Sequence, residues 1–189
     1  MRDGFIRTAA ATPKIKVADP FHNREAVCNI IEEYEKKGVE LLVFPELCLS
    51  GYTCNDLFLQ EVLLEQVKEE LKNLVDFTKG RRMLVFAGLP WEHEGKLYNV
   101  AAAICDGTLL GLVTKTNMPN YSEFYELRHF TPGMEIPVLT DWQDTQVPMG
   151  TNLLFTCREN PKLTVAAEIC EDVWVPCPPS IRHALAGAT

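Results

Sequence analysis

Three residues with reactive side chains each follow a short apolar run that the sequence predicts to be a strand. They are Glu46, Lys115 and Cys170. In α/β proteins the carboxyl ends of strands hold functional groups around a common cleft, so we expect a carboxylate, an ammonium and a thiol to converge there. A carboxylate can take the thiol proton, and an ammonium can stabilise both the thiolate and a developing oxyanion. These residue types are therefore sufficient for covalent amide chemistry without histidine or a metal ion.

The same three residues also have an ordinary structural interpretation. A cysteine at the end of a strand is usually a small buried hydrophobe, and a glutamate after a proline usually lies in a solvated turn. A lysine after a strand often extends into water. Residue type and spacing alone therefore leave a catalytic and a structural interpretation open.

The apolar pattern predicts the elements that would hold these residues. Helices are predicted over about 21–37, closed by Gly38, over 59–78, closed by Gly80, and over 178–186. Segment 39–44 is too continuously apolar to be half exposed, so we expect a strand buried on both faces. Asp106-Gly107 predicts a two-residue hairpin turn. The other predicted strands cover 5–10, 83–89, 99–105, 108–114, 151–156 and 163–167.

Element order and composition define the class of protein. Helices alternate with strands early in the chain and a hairpin follows, which predicts an α/β protein with a mixed sheet. The length of 189 residues fits one domain, 1–189. The net charge of −8, with no basic stripe, argues against a nucleic-acid partner. No apolar stretch is long enough to span a membrane or form a secretory signal, so we expect a cytoplasmic protein.

The cysteines and histidines do not indicate a second kind of site. The seven cysteines are an odd number and none has C-x-x-C spacing, so we expect neither a disulfide framework nor a metal site. None of the four histidines lies in a nucleophile-elbow context beside a cysteine. Catalysis by a Cys–His pair is therefore the weaker enzyme model.

Three segments around the reactive residues resemble the catalytic blocks of a known superfamily. They are FPELCLSGY over 44–52, TKTNMPNY over 114–121 and AEICEDVW over 167–174. In this order they resemble the blocks of the nitrilase (carbon–nitrogen hydrolase) superfamily. Further segments resemble the glutamine-hydrolysing domains of glutamine-dependent NAD synthetases in particular, and they cover 11–19, 123–128 and 174–180. The resemblance implies an α-β-β-α sandwich, in which two sheets pack face to face with helices outside.

The resemblance also implies catalytic roles, residue by residue. Cys170 would be the nucleophile that attacks the side-chain amide of glutamine and forms a γ-glutamyl thioester. Glu46 would be the general base, and Lys115 the cation that stabilises the oxyanion. A second glutamate of the family corresponds best to Glu126. Glu123 is the alternative, because the sequence Glu-Phe-Tyr-Glu has a glutamate at both of its ends.

The residues that would bind the amino-acid end of glutamine are also implied by the resemblance. An acidic side chain suits an α-ammonium group, and aromatic side chains suit an aliphatic stem. The same aromatic residues could instead only pack the loops. The expected substrate-binding residues are Tyr52, Tyr121, Glu171 and Trp174.

The resemblance further implies partners, cofactor use and how much of the fold this chain covers. Ammonia from glutamine would pass to a synthetase domain that uses ATP and magnesium, and no phosphate-cradling loop for ATP occurs in this sequence. This chain is therefore expected to need no cofactor itself, and family members are homo-oligomers. Complete nitrilase-like domains continue past the nucleophile, so we expect a sandwich that is incomplete at the C-terminus. A stand-alone amidase for another small amide and a non-catalytic fragment or assembly module remain the alternatives.

Overall fold

A computed structural model describes residues 5–189 of the chain. The helices are α1 (Pro20–Lys36), α2 (Glu61–Phe77) and α3 (Pro179–Leu185). The strands are β1 (Thr8–Ala10), β2 (Leu41–Val43), β3 (Leu84–His93), β4 (Lys96–Cys105), β5 (Thr108–Thr114), β6 (Val138–Trp142), β7 (Thr145–Gly150), β8 (Phe155–Thr156) and β9 (Thr164–Val165). Short 3₁₀ helices lie at Tyr52–Leu59, Glu126–Arg128 and Cys170–Val173.

Seven strands form one mixed sheet in the order β1-β2-β3-β4-β5-β7-β6. The first three strands are parallel, β3, β4 and β5 form an antiparallel meander, and β7 pairs in parallel with β5. The Asp106-Gly107 turn has φ of 48° and 72°, which confirms the predicted hairpin between β4 and β5. The mixed sheet and the α/β class predicted from element order are confirmed.

One face of this sheet is covered by α1 and α2. The apolar stripe predicted for the second helix faces the sheet and is buried, and it consists of Leu63, Val67, Leu71, Leu74 and Val75. In α1, Val27 and Ile31 are fully buried, and Gly38 follows the helix with φ of 71°. These contacts, rather than propensity alone, stabilise the two helices.

The opposite face of the sheet is covered only in part. Within residues 5–189, the second sheet of the expected sandwich is represented by the two-stranded ribbon β8–β9. Val43 is therefore 41% exposed, and the expectation that β2 is buried on both faces is wrong. A cavity of about 320 Å³ lies between the ribbon and the sheet, and Val43 and Cys170 both line it.

Several element boundaries differ from the sequence prediction. No strand is predicted from the sequence over 138–150, but β6 and β7 lie there. Pro148 lies inside β7, where a proline is unusual in a paired strand. The strands predicted over 151–156 and 163–167 shorten to two residues each. The first predicted strand, 5–10, is reduced to Thr8–Ala10. In the part of the chain that the structure describes, no helix is long and apolar enough to cross a bilayer.

Candidate active site

Lys115 is the first residue after β5, and its side chain is fully buried. Its Nζ donates to Oε1 of Glu46 at 2.7 Å and to both carboxylate oxygens of Glu126 at 2.8 Å. Burial alone would lower the pKa of Lys115, but the two carboxylates outweigh burial and raise it. Lys115 therefore remains a cation in the interior of the molecule.

Glu46 lies in a tight loop that follows β2 and passes directly over β3. Leu49 in this loop donates its backbone N–H to the carbonyl of Gly88 at 3.1 Å. A Cβ atom at Gly88 would lie 2.3 Å from the backbone N of Leu47, so this approach requires a glycine. Besides Lys115, Glu46 accepts a hydrogen bond from Nδ2 of Asn99 at 2.6 Å.

Glu126 and Tyr52 complete the buried cluster. Glu126 is 5% exposed, and the Tyr52 hydroxyl donates to its Oε1 at 2.6 Å. Desolvation raises the pKa of Glu126, although Lys115 and Tyr52 act in the opposite direction. The pKa of Tyr52 is also raised, first by desolvation and then by its hydrogen bond to Glu126. Glu123 is exposed on the preceding loop. The geometry therefore brings Glu126, and not Glu123, to Lys115.

Cys170 is the first residue of the 3₁₀ helix Cys170–Val173, and four residues separate it from β9. Its φ of 49° is in the left-handed region, which is unusual for a residue with a Cβ atom and costs about 1–3 kcal/mol. The residue is exposed and lines the same cavity as Glu46. Desolvation raises the pKa of its thiol, the charge of Glu46 and a hydrogen bond with it raise the pKa further, and Lys115 lowers it in part.

Asp172 joins the loop that carries Cys170 to the loop that follows Lys115. Its fully buried carboxylate accepts hydrogen bonds from the backbone N–H and side-chain amide of Asn117 at 2.7 and 2.8 Å. It also accepts from the backbone N–H groups of Thr116 at 3.2 Å and Ile169 at 3.3 Å. Three backbone donors from two loops thus converge on one side chain, and this fixes the loops relative to each other.

The remaining sequence-predicted residues lie outside the buried cluster and are not part of the cavity lining. The Tyr121 hydroxyl donates to the two carboxylate oxygens of Glu171 at 3.1 and 3.0 Å, and this hydrogen bond is the main reason why the pKa of Tyr121 is raised. Trp174 is 77% exposed. The structure therefore pairs Tyr121 with Glu171, places Tyr52 in the buried cluster and leaves Trp174 at the surface.

Sequence reasoning missed Asn99 and Asp172. Asn99 is the one strongly polar side chain at the start of the apolar run 99–105, and Asp172 follows Cys170 by two residues. Both signals were present, but their partners lie in distant loops.

Among residues 5–189, no group of three or more His, Cys, Asp or Glu side chains is arranged to hold a metal ion. Cys48 and Cys54 are buried, whereas Cys177 is exposed.

Comparison with known proteins identifies relatives of this chain. The family model described as carbon-nitrogen hydrolase matches residues 7–189. The chain is 40% identical to the glutamine-dependent NAD(+) synthetase of Mycobacterium tuberculosis over 98% of its own length and 27% of that protein. It is 34% identical to the Aquifex aeolicus protein of the same name over 97% of this chain and 29% of that protein. The chain thus spans between a quarter and a third of these curated relatives.

Solved structures show the same fold. A glutamine-dependent NAD(+) synthetase from Cytophaga hutchinsonii superimposes with a TM-score of 0.85 at 29% identity, over 97% of this chain and 29% of that one. An amidase from Nesterenkonia sp. superimposes with a TM-score of 0.70 at 21% identity, over 100% of this chain and 64% of that one. The nitrilase-type α/β fold expected from the sequence is therefore confirmed, with this chain covering its N-terminal part.

Proposed function

The chain belongs to the carbon–nitrogen hydrolase family, and on that premise we propose that its site hydrolyses the side-chain amide of glutamine through Cys170. The observation that carries the proposal is the buried Lys115, held by Glu46 and Glu126 at 2.7 and 2.8 Å beside the cavity that Cys170 lines. Burying a lysine with two carboxylates contributes little to net stability, so a role in chemistry explains the cluster better than a role in folding.

In the first half of the proposed reaction, Cys170 is acylated. Its Sγ attacks the amide carbon while Glu46 accepts the thiol proton, because the raised pKa of Cys170 keeps the thiol protonated at neutral pH. Lys115 stabilises the oxyanion that forms on the amide oxygen. The C–N bond then breaks, and the proton on Glu46 passes to the departing nitrogen. Ammonia leaves and a γ-glutamyl thioester remains on Cys170.

In the second half, water releases the product. Glu46 takes a proton from a water molecule as its oxygen attacks the thioester carbon, and Lys115 again faces the developing negative charge. The C–S bond breaks, the Cys170 sulfur recovers a proton from Glu46, and glutamate leaves. The balance is one glutamine and one water consumed for one glutamate and one ammonia. Glu126 and Tyr52 hold Lys115 in place through both halves.

A negative charge next to Cys170 in the sequence supports glutamine rather than a simple amide as the substrate. Glu171 is an acidic group close to Cys170 in sequence and paired with Tyr121, and a carboxylate there suits an α-ammonium group. Tyr52 and Trp174 offer aromatic surface for the aliphatic stem. A plain aliphatic amide has no ammonium group with which to use Glu171.

The proposal extends to partners on the basis of the relatives' names. Curated relatives that match this chain over about 27% of their length are glutamine-dependent NAD(+) synthetases, so the ammonia would be passed to a synthetase domain. ATP and magnesium would act in that domain and not at Cys170. A cytoplasmic location and a homo-oligomeric assembly are part of the same proposal.

Ammonia release from the purified chain tests the proposed function. With glutamine we expect ammonia and glutamate in equal amounts from the unmodified chain, none from Cys170→Ala, and an unchanged rate from Cys177→Ala. Cys177 is the matched control, because it is an exposed cysteine in the same segment. Release that survives Cys170→Ala would contradict the assigned nucleophile.

The same assay separates the alternatives. A higher kcat/KM for butyramide than for glutamine would favour a stand-alone amidase. No release from either amide, by a chain that circular dichroism shows to be folded, would favour a non-catalytic module.

A further inference from the structure

Asn99 contacts both charged partners of the proposed reaction and has no assigned role. It lies in β4 with no exposed surface. Its Nδ2 donates to Oε1 of Glu46 at 2.6 Å, and its backbone carbonyl accepts the backbone N–H of Lys115 at 2.9 Å. Because Nζ of Lys115 donates to the same Oε1 at 2.7 Å, the three residues form a closed ring of hydrogen bonds.

The side chain of Asn99 is costly to bury. Its Oδ1 has no hydrogen-bond partner among the described residues, so an amide carbonyl is desolvated without compensation. The Nδ2 bond to Glu46 is the only side-chain hydrogen bond that Asn99 makes in this part of the chain. A residue chosen for packing alone would be apolar at this position of the strand. The one contact that offsets the cost is therefore the contact with Glu46.

We propose that Asn99 is a positioning residue, which acts together with Lys115 to hold Oε1 of Glu46 and leaves Oε2 to exchange protons with Sγ of Cys170. Two donors at about 2.7 Å occupy Oε1, so this oxygen has little capacity left to accept a proton. The choice of oxygen fixes the direction of proton transfer. The inference deepens the proposed function and rests on it for the reaction, but the geometry of Glu46 can be tested without glutamine.

The first test replaces Asn99 by a side chain whose ability to donate depends on pH. Asn99→Asp keeps the shape of the residue, but its carboxylate cannot donate to Glu46 and repels it. Protonation restores an O–H donor at the same place. The other charged or titratable groups of the cluster, Lys115, Glu126 and Tyr52, are the same in both proteins.

With glutamine as substrate, we expect kcat of Asn99→Asp to fall by about 10-fold to 100-fold at mildly alkaline pH, with KM nearly unchanged. The deficit should shrink as the pH is lowered to the mildly acidic range. A deficit that is constant with pH, or a change confined to KM, would overturn the positioning role.

The second test measures alkylation of Cys170 by iodoacetamide and does not require turnover. Glu46 raises the pKa of the thiol by its charge and by a hydrogen bond. If Asn99→Ala releases Glu46 from its fixed position, the pH midpoint of Cys170 alkylation should move to a lower value. Mass spectrometry of the peptide that contains Cys170 distinguishes it from the other six cysteines. An unchanged midpoint would overturn the proposal.

Asn152→Ala is the matched control for both tests. Its Oδ1 also lacks a partner among the described residues, and its Nδ2 donates to the backbone carbonyl of Glu135 at 2.9 Å. We expect this variant to keep the alkylation midpoint and kcat of the unmodified chain, and an equal shift in Asn152→Ala would contradict the inference. If Asn99→Ala fails to fold, Asn99→Leu, which has a similar volume and also lacks a donor, supplies the alkylation profile. If the alkylation midpoint shifts in Asn99→Ala but the unmodified chain releases no ammonia from glutamine, the proposed function is contradicted and the positioning role is supported.

Discussion

The chemistry at the residue scale depends on a cluster that contains two carboxylates for one ammonium. Glu46 and Glu126 both accept hydrogen bonds from Lys115, and this leaves the cluster with an excess of negative charge. Neighbouring groups therefore retain their protons. Burial first and Glu46 second raise the pKa of Cys170, which explains why the thiol would need a base during attack instead of resting as a thiolate.

Removal of the ammonium tests this balance. In Lys115→Met, two carboxylates remain in a site where Glu46 and Glu126 are 14% and 5% exposed. We expect the free energy of unfolding at neutral pH to fall by about 3–5 kcal/mol, because breaking a buried ion pair leaves charge without compensation. Urea denaturation at a series of pH values measures the change.

The pH dependence of this variant has a definite sign. The folded-state pKa of Glu126 is already raised by desolvation, so the folded state binds this proton more tightly than the unfolded state does. Lowering the pH through that raised pKa should therefore return part of the lost stability to Lys115→Met. Lys72→Met, an exposed lysine on α2, should change little at any pH. Equal losses in the two variants, or a loss in Lys115→Met that grows on acidification, would contradict the account.

At the scale of elements, Asp172 does more to place Cys170 than the strand that precedes it. β9 has only two paired residues, whereas Asp172 binds the backbone N–H groups of Thr116, Asn117 and Ile169. The 3₁₀ helix that begins at Cys170 is therefore attached to the end of β5 through one carboxylate. Such an attachment can sustain the left-handed conformation of Cys170.

Asp172→Asn tests this attachment. The amide keeps one acceptor oxygen, but it replaces the other with a donor that faces the backbone N–H groups. We expect a loss of about 1.5–3 kcal/mol in the free energy of unfolding, the worth of a hydrogen bond to a charged group. Hydrogen exchange at the amides of Thr116, Asn117 and Ile169 should become faster. Asp144→Asn, in the exposed turn between β6 and β7, is the control, and equal exchange in the two variants would contradict the attachment.

The elements that the sequence predicts correctly are those with a local signal. The apolar stripe of α2 and the Asp106-Gly107 turn each depend on neighbouring residues, and both are confirmed. β7 carries Pro148, and its pairing with β5 is set by tertiary contacts, so no local pattern reveals it. β2 is apolar throughout, but whether its second face is covered depends on what packs there.

The same distinction applies to the site. The position of Glu46, Lys115 and Cys170 at predicted strand ends made them candidates, and the family resemblance of the surrounding segments favoured them. The structure brings Glu46 and Lys115 to 2.7 Å. Their catalytic roles remain predictions. The choice between Glu123 and Glu126 required the fold, because Glu123 is exposed in the loop before the 3₁₀ helix Glu126–Arg128 and only Glu126 is buried. Asn99 and Asp172 were missed because their importance comes from contacts with residues far away in the sequence.

At the scale of the whole molecule, the site and the incompletely covered sheet share one cavity. It has a volume of about 320 Å³, and its lining runs from Val43 and Phe86 on the sheet to Glu46 and Cys170 at the site. The helices close the other face of the sheet. Cys170 is exposed and lines this cavity, so substrate and water can reach it from the side of the ribbon β8–β9. This access is what attack on the amide and hydrolysis of a thioester both need.

The most direct measurement of the central claim is the capture of the thioester on Cys170. The chain is mixed with glutamine, quenched in acid within the first turnovers and digested, and the peptide that contains Cys170 is weighed by mass spectrometry. We predict a γ-glutamyl group on Cys170 that hydroxylamine removes and that is absent when Cys170→Ala is treated in the same way. Steady release of ammonia from glutamine with no such adduct at any quench time, or an adduct on Cys177 in its place, would contradict the account.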